Sequence, residues 1–256
     1  MQESAVGYEV ADGIARIVLR NPPVNALNDA GLSALIDGLR RAAADDGARA
    51  VLLTSAVPGR FSAGLDLKAL ADQPAARIRA LVRKLYVELY DAQFELGKPS
   101  IAVVAGTTRG GGMTMAISCD VIIASESATF GYPEIDNGLL PAIHFAHLPR
   151  IIGRHRAFEL LFSGRPFAAR EAFDLGLVSR VVPDGEAEAA AVELARTFAS
   201  KPEIAVRLGR AAFLRQNDLD YRRSVAAAVE DFATVSATEE ARAGLRAFAQ
   251  RPRKEG

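Results

Sequence analysis

The chain has 256 residues, half of them hydrophobic, with 31 basic and 31 acidic side chains and a formal net charge of zero. This balance gives no support for nucleic acid or an anionic membrane as a bulk electrostatic partner. The single cysteine, Cys119, excludes an internal disulfide, and we find no secretory signal and no membrane-spanning run, so we expect a cytoplasmic protein.

The N-terminal residues predict a hairpin followed by a helix. Residues 8–10 and 14–19 flank a turn at Gly13, and both flanks are rich in strand-forming side chains. Residues 28–44 carry apolar side chains at helical spacing, with Asn28 or Asp29 as the N-cap.

Strands and helices then alternate, which favours βαβ units and a mostly parallel sheet. The predicted strands cover residues 50–54, 101–105, 121–124 and 178–183. A helical zone is predicted over 66–96, and a helix is predicted directly after residue 112. We therefore expect an α/β core over 1–195 and a helical C-terminal region over 196–256.

A glycine triplet, Gly110, Gly111 and Gly112, lies between a predicted strand and a predicted helix. The loop at 60–66 has a similar place, since Gly64 and Leu65 follow another strand. A helix N-terminus presents free N–H groups, so two such turns could each direct one N–H, from Leu65 and Gly111, at a single oxygen. Two tight turns without any ligand are the open alternative.

Glu134 follows Pro133 in a segment framed by apolar residues. Partial burial of its carboxylate would raise its pKa towards a value useful for a general base. An exposed loop carboxylate is the open alternative. Nearby Asp136 is either a second acid or base, or a surface residue.

These segments together resemble the crotonase superfamily, which includes the enoyl-CoA hydratases and isomerases. The resemblance covers nearly the whole chain, and its segments occur in the family's order. They are residues 61–68, 110–112, 119–120, 130–134, 151–153, 157–160 and 172–178. The resemblance implies a spiral of ββα units with a C-terminal helical trimerisation region, a homotrimer or dimer of trimers, and an acyl-CoA thioester substrate of the kind used in fatty acid metabolism.

The resemblance also implies roles for individual residues. Leu65 and Gly111 correspond to the oxyanion-hole donors, and Glu134 to a catalytic base. Coenzyme A enters as part of the substrate, so no separate cofactor and no metal are expected. The positions corresponding to CoA and substrate contacts are Ala26, Ala63, Leu65, Asp66, Leu67, Lys68 and Gly111.

One position departs from the hydratase pattern. Hydratases of this family carry two glutamates, and the first of them is replaced here by Thr114. A single carboxylate is typical of the delta-3, delta-2-enoyl-CoA isomerases, so we predict double-bond isomerisation. Hydration, or a hydratase-lyase reaction, by Glu134 alone is one alternative. A catalytically weak scaffold that binds acyl-CoA or RNA is the other.

His144 and His147 stand three residues apart in a predicted helix. They could begin a metal site, but no third ligand stands at a suitable spacing. The region of these two histidines lines the acyl pocket in relatives, so His144 is a candidate for that pocket. Thr114 and Asp136 are further candidates for it.

Overall fold

The computed structural model describes residues 4–217 and 221–250. In this part of the chain the strands are β1 Val6–Ala11, β2 Ile14–Leu19, β3 Ala26–Leu27, β4 Ala50–Ser55, β5 Arg60–Ser62, β6 Gly64–Leu65, β7 Ser100–Val104, β8 Thr107–Thr108, β9 Val121–Ser125, β10 Thr129–Phe130, β11 Phe167–Ala168 and β12 Arg180–Val182. The helices are α1 Asp29–Ala44, α2 Leu67–Leu70, α3 Ala75–Arg83, α4 Leu89–Glu95, α5 Gly111–Ser118, α6 Ala142–Ile152, α7 Arg154–Ser163, α8 Ala169–Asp174, α9 Ala187–Ala199, α10 Glu203–Asn217, α11 Tyr221–Ser236 and α12 Glu239–Gln250. A π-helical turn at Lys84–Glu88 joins α3 to α4, and a 3-10 turn occupies Ile135–Asn137.

The main sheet has the strand order β1-β2-β4-β7-β9-β12. The predicted hairpin β1–β2 is antiparallel, and every later neighbour pairs in parallel. Its register sets Ile17 beside Leu53, and Val103 beside Ile123. The predicted α/β architecture with a largely parallel sheet is confirmed.

A second layer consists of short strand pairs, β3–β6, β5–β8 and β10–β11. Each main strand from β4 to β9 is followed by a short strand of this layer and then by a helix. This repeat is the predicted spiral of ββα units. It places the N-termini of successive helices beside the short strands, where the candidate residues lie.

Both faces of the main sheet are buried, as expected for parallel strands. One face packs into the large core, and the other, which includes Leu52 and Val103, is covered by the alanines of α9. The predicted boundary between residues 195 and 196 falls inside α9, so this helix continues across it. α11 packs against α3 and α6 of its own chain, and α12 packs against α2. Contacts with neighbouring subunits stay a prediction.

The predicted helical zone over 66–96 is helical apart from a break between α2 and α3. Proline restricts the residue before it to extended backbone, and Pro74 stands between the short helix α2 and the start of α3. Among the described residues, no helix combines the length and apolar character needed to cross a bilayer.

Asn25 directly precedes β3 and holds this strand against the first candidate loop, residues 60–66. It is fully buried, and its backbone has a positive φ of 51°. Its side-chain amide donates to Phe61 O at 2.9 Å and accepts from Asn21 N at 2.7 Å. Its carbonyl accepts from Ser62 Oγ at 2.7 Å, and Ser62 Oγ in turn accepts from Gly64 N at 2.9 Å. One buried amide thus ties β3 to the loop that ends at Gly64.

We predict that Asn25→Ala lowers the free energy of unfolding by roughly 2–4 kcal/mol, because it leaves buried groups unpaired and removes the side chain that tolerates a positive φ. Urea denaturation followed by circular dichroism measures the change. Asn217→Ala is the matched control, since Asn217 is exposed, and it should shift the same quantity by less than about 0.5 kcal/mol. Equal effects of the two substitutions would contradict the assignment.

Candidate active site

The backbone of β6 is in direct contact with the backbone of the first turn of α5. A Cβ built on Gly64 would lie 2.3 Å from Gly111 N, and one built on Gly112 would lie 2.3 Å from Ser62 O. Gly64 also has a positive φ of 84°. Only glycine fits these positions, because any side chain would force the two backbones apart. The two turns predicted from sequence to face each other are therefore in contact.

The N–H groups of Leu65 and Gly111 lie beside each other at this contact. A Cβ built on Gly111 would lie 3.2 Å from Leu65 N. Asp66 N donates to Leu27 O, so the alternation of a strand directs the preceding Leu65 N–H away from β3. Gly111 is the first residue of α5 and has no intrahelical acceptor for its N–H. Two donors at a helix N-terminus can hold an oxygen that gains negative charge.

Glu134 lies next to these donors, at the start of the 3-10 turn. Its Oε1 would be 3.1 Å from a Cβ built on Gly110, and its Oε2 is enclosed with no hydrogen-bond partner in the described chain. Burial of the carboxylate raises the pKa of Glu134 to about 7. A group with this pKa can both accept and return a proton near neutrality.

Two buried tyrosines lie near enough to this carboxylate to feel its charge. Burial raises the pKa of Tyr132 and of Tyr86, and the negative charge of Glu134 raises both further. Sequence reasoning missed both residues. Tyr132 could have been found from its place two residues before Glu134, whereas no sequence signal connects Tyr86 with the site.

Thr114 occupies the first turn of α5, beyond Gly111, and is buried. Its Oγ1 lies 3.3 Å from Nε2 of His144, which belongs to α6. A neutral hydroxyl and an imidazole thus stand at the place where the resemblance implies a glutamate in hydratases. Burial holds the pKa of His144 well below its usual range, so the ring is uncharged at neutral pH.

Asp136 does not join this group. It is exposed, and its carboxylate faces Gly164, where a built Cβ would lie 2.9 Å from Oδ1, whereas the carboxylate of Glu134 faces Gly110. The carboxylate of Asp136 is thus directed at the C-terminal end of α7.

The residues that correspond to CoA contacts form one strip beside Gly111. Ala26 is on β3, which pairs with β6, and Ala63 N donates to Val24 O at 2.9 Å. Asp66 caps α2, since its carboxylate accepts from the N–H groups of Lys68 and Ala69. The strip from Ala63 to Lys68 is half-buried to exposed apart from Gly64, so a ligand can reach it. Among the described residues, no cluster of three or more His, Cys, Asp or Glu side chains could hold a metal ion.

Comparisons with known proteins agree on one family. The family model described as "Enoyl-CoA hydratase/isomerase" matches residues 9–255. A Bacillus subtilis protein named "Probable enoyl-CoA hydratase" is 32% identical over 97% of this chain and 96% of its own length. The human "Enoyl-CoA hydratase domain-containing protein 2, mitochondrial" is 35% identical, with 93% and 84% covered. The crystal structure of an enoyl-CoA hydratase/isomerase from Xanthobacter autotrophicus Py2 is similar with a TM-score of 0.87, at 30% identity and 95% coverage of both chains.

Because β6 touches α5, we predict that substituting two different glycines by alanine changes the stability of the fold by clearly different amounts. Gly64→Ala should lower the free energy of unfolding by at least about 3 kcal/mol, because the methyl group meets backbone atoms and the positive φ is strained. Gly59→Ala is the matched control, since Gly59 has a φ of 66° and a Cβ there would meet nothing within 4 Å.

The control should cost only about 1–2 kcal/mol, which reflects the positive φ alone. Urea denaturation of both variants makes the comparison. A loss for Gly64→Ala no greater than that for Gly59→Ala would show that the two backbones are not held together in this way.

Proposed function

The chain belongs to the enoyl-CoA hydratase/isomerase family of the crotonase superfamily, and we propose that it moves the double bond of an enoyl-CoA from the delta-3 to the delta-2 position. In this proposal the thioester oxygen accepts hydrogen bonds from the N–H groups of Leu65 and Gly111. The CoA moiety lies along the strip formed by Ala26, Ala63 and the start of α2. Family membership makes the chain an enzyme, which disfavours the scaffold alternative.

The proposed reaction needs one base that acts twice. Glu134 takes a proton from the α-carbon, and the electrons of that C–H bond shift towards the thioester oxygen to form a dienolate. The two N–H groups and the positive end of α5 stabilise the charge on that oxygen. Glu134 then returns the proton to the γ-carbon, and the double bond closes between the α- and β-carbons. Atoms and charges balance with no other reactant.

The observation that carries the proposal is the pairing of Thr114 with His144. A hydratase of this family places a second glutamate at the position of Thr114, where it helps to hold the attacking water. Here the hydroxyl of Thr114 lies 3.3 Å from His144 Nε2, and both groups are buried and uncharged. Glu134 is left as the carboxylate of the site, and a single carboxylate suffices for proton transfer between two carbons.

Hydration by Glu134 alone is the second candidate. It is favoured by the printed names of the Bacillus subtilis and human relatives, which refer to hydratases. The two candidates differ in their product. A panel of 3-enoyl-, 2-enoyl- and aromatic CoA esters, analysed by mass and ultraviolet absorbance, decides between them. Isomerisation gives a conjugated 2-enoyl-CoA of unchanged mass, whereas hydration adds one water and gives a 3-hydroxyacyl-CoA.

We also propose that the chain forms a homotrimer or a dimer of trimers, as the family resemblance implies. An apolar surface on α7 supports assembly. Phe158 and Phe162 are 61% and 45% exposed, and their rings stack at 4.3 Å. Exposed aromatic patches of this kind commonly mark protein contacts.

Glu134→Gln should lower kcat by about 10²–10⁴-fold, because the amide cannot accept the α-proton. In the wild type, kcat/KM should rise with pH through about 7 and then level, since the deprotonated carboxylate is the active form. Steady-state kinetics over a pH series measures both effects. Glu126→Gln, at an exposed glutamate, is the matched control and should leave the profile unchanged.

The same substitution should make the fold more stable. The folded pKa of Glu134 lies above its ordinary value of 4.5, so ionisation costs stability as pH rises from that value to about 7. Glu134→Gln should therefore raise the free energy of unfolding at alkaline pH by about 1–3 kcal/mol and have little effect in acid. Full turnover in this variant, or equal destabilisation at every pH, would contradict the role assigned to Glu134.

Thr114→Glu should increase formation of 3-hydroxyacyl-CoA from a 2-enoyl-CoA by about tenfold relative to Thr114→Gln, because only the first restores a second carboxylate. The glutamine variant controls for the strain of a longer side chain at a buried position. Product analysis by mass spectrometry gives the ratio. Equal rates in the two variants would show that pocket shape, and not the missing carboxylate, limits hydration.

A further inference from the structure

α6 presents a stack of two imidazoles beside the candidate active site. The rings of His144 and His147 are 4.9 Å apart between centroids, with planes 4° from parallel. Only 1% and 5% of these residues are exposed. Burial lowers the pKa of both, that of His147 to about 3, so both rings are neutral at physiological pH.

Each ring uses only one of its two nitrogens. His144 Nε2 lies 3.3 Å from Thr114 Oγ1, and His147 Nδ1 lies 3.3 Å from the hydroxyl of Tyr90. The other nitrogens, His144 Nδ1 and His147 Nε2, are buried without a partner in the described chain. The hydroxyl of Tyr132 is also buried and unpartnered, and its ring lies 4.4 Å from that of His144.

Such a cluster destabilises the folded protein unless a ligand forms hydrogen bonds with it. Burying a polar group without a hydrogen bond opposes folding, and folded proteins pair nearly all such groups. Here three unpartnered groups lie in one place, next to Glu134, whose charge raises the pKa of Tyr132. The unpaired polar groups thus destabilise the folded chain at this point. A ligand group that formed hydrogen bonds with them would remove this destabilisation.

There is room beyond the stack for part of a substrate. A cavity of about 950 Å³ lies between α4, α6, α10 and α11, and His147, Tyr86 and Tyr90 line it. Tyr86 is also close enough to Glu134 for the carboxylate charge to raise its pKa. The cavity therefore borders the histidine stack at His147 and comes near the base at Tyr86.

The chemistry of the cluster selects the ligand group. A neutral imidazole has one N–H donor and one acceptor nitrogen, and a tyrosine hydroxyl can do either. A carboxylate only accepts hydrogen bonds and would lose its hydration in a site of neutral groups. A hydroxyl both donates and accepts, so it can pair with a donor and an acceptor of the cluster at once.

We propose that His144, His147 and Tyr132 form a subsite for a hydroxyl group on the acyl part of the substrate. This rests on the proposed function, in that the ligand is an acyl-CoA with its thioester at Leu65 and Gly111. The three residues are specificity-determining, and they take no part in the proton transfer. An aliphatic alcohol and a phenol share the required chemistry.

Calorimetric binding of matched CoA esters tests the subsite without any turnover. The aliphatic pairs are hexanoyl- with 6-hydroxyhexanoyl-CoA and octanoyl- with 8-hydroxyoctanoyl-CoA. The aromatic pair is 3-phenylpropanoyl- with 3-(4-hydroxyphenyl)propanoyl-CoA. We expect the hydroxylated member of at least one pair to bind about tenfold or more tightly, the gain typical of satisfying a buried polar group. The pair that shows the preference distinguishes alcohol from phenol.

Single substitutions show which side chains cause the tighter binding of the hydroxylated ester. Tyr132→Phe removes one oxygen, and His144→Phe and His147→Phe replace one ring by another. Each should reduce the affinity ratio to less than about threefold, the loss expected when a hydrogen-bonding partner is removed. His155→Phe, at the exposed histidine of α7, is the matched control and should keep the wild-type ratio.

Tyr132→Phe also separates binding from folding. Its hydroxyl has no partner in the described chain, so its removal should leave the free protein at least as stable in thermal unfolding while the ratio falls. Equal affinities within every wild-type pair, an unchanged ratio in Tyr132→Phe, or no binding of any ester would overturn the proposal. A binding preference without turnover of 3-enoyl esters would instead count against the proposed reaction alone.

Discussion

The contact between Gly64 and the first turn of α5 is the constraint on which the rest of the site depends. A Cβ at Gly64 would lie 2.3 Å from Gly111 N, a distance that no side chain tolerates. Because the two backbones touch, the N–H groups of Leu65 and Gly111 are fixed by the fold and not by flexible side chains. Donors fixed in this way need little reorganisation when charge develops on a bound oxygen, which is how they would accelerate the proposed reaction.

Beside this backbone contact, the fold buries several polar atoms without hydrogen-bond partners. Glu134 and the cluster of His144, His147 and Tyr132 all carry polar atoms that the described chain leaves without partners. Each of these atoms makes the folded chain less stable than an apolar substitute would. The properties of the proposed catalytic base and of the proposed hydroxyl subsite follow from this burial. Glu134 acquires a pKa of about 7, and the subsite keeps polar atoms that can form hydrogen bonds with a ligand.

Much of this architecture can be predicted from the sequence, and the parts that cannot be predicted have identifiable physical reasons. Long elements such as α1 and β4 have clear periodicity, and both appear where they are predicted. The short strands β3, β6 and β8 have only two residues each, too few for any period, so the second layer was predicted only through the family resemblance. The glycines around residue 111 indicated the candidate donors, because a strand that turns on glycines into a helix leaves backbone N–H groups free. Tyr86 reaches Glu134 only through the fold, and nothing in its local sequence could reveal that.

The central claim is that Glu134 removes an α-proton from a thioester held by two backbone N–H groups. Exchange of α-hydrogens in a saturated acyl-CoA tests it without involving isomerisation or hydration. Hexanoyl-CoA is incubated with the enzyme in D₂O, at a pD above the pKa of Glu134, and deuterium is located by mass spectrometry and NMR. We predict deuterium at the α-carbon with the wild type and none with Glu134→Gln. Absence of exchange with the wild type, or equal exchange with the variant, would contradict this role of Glu134.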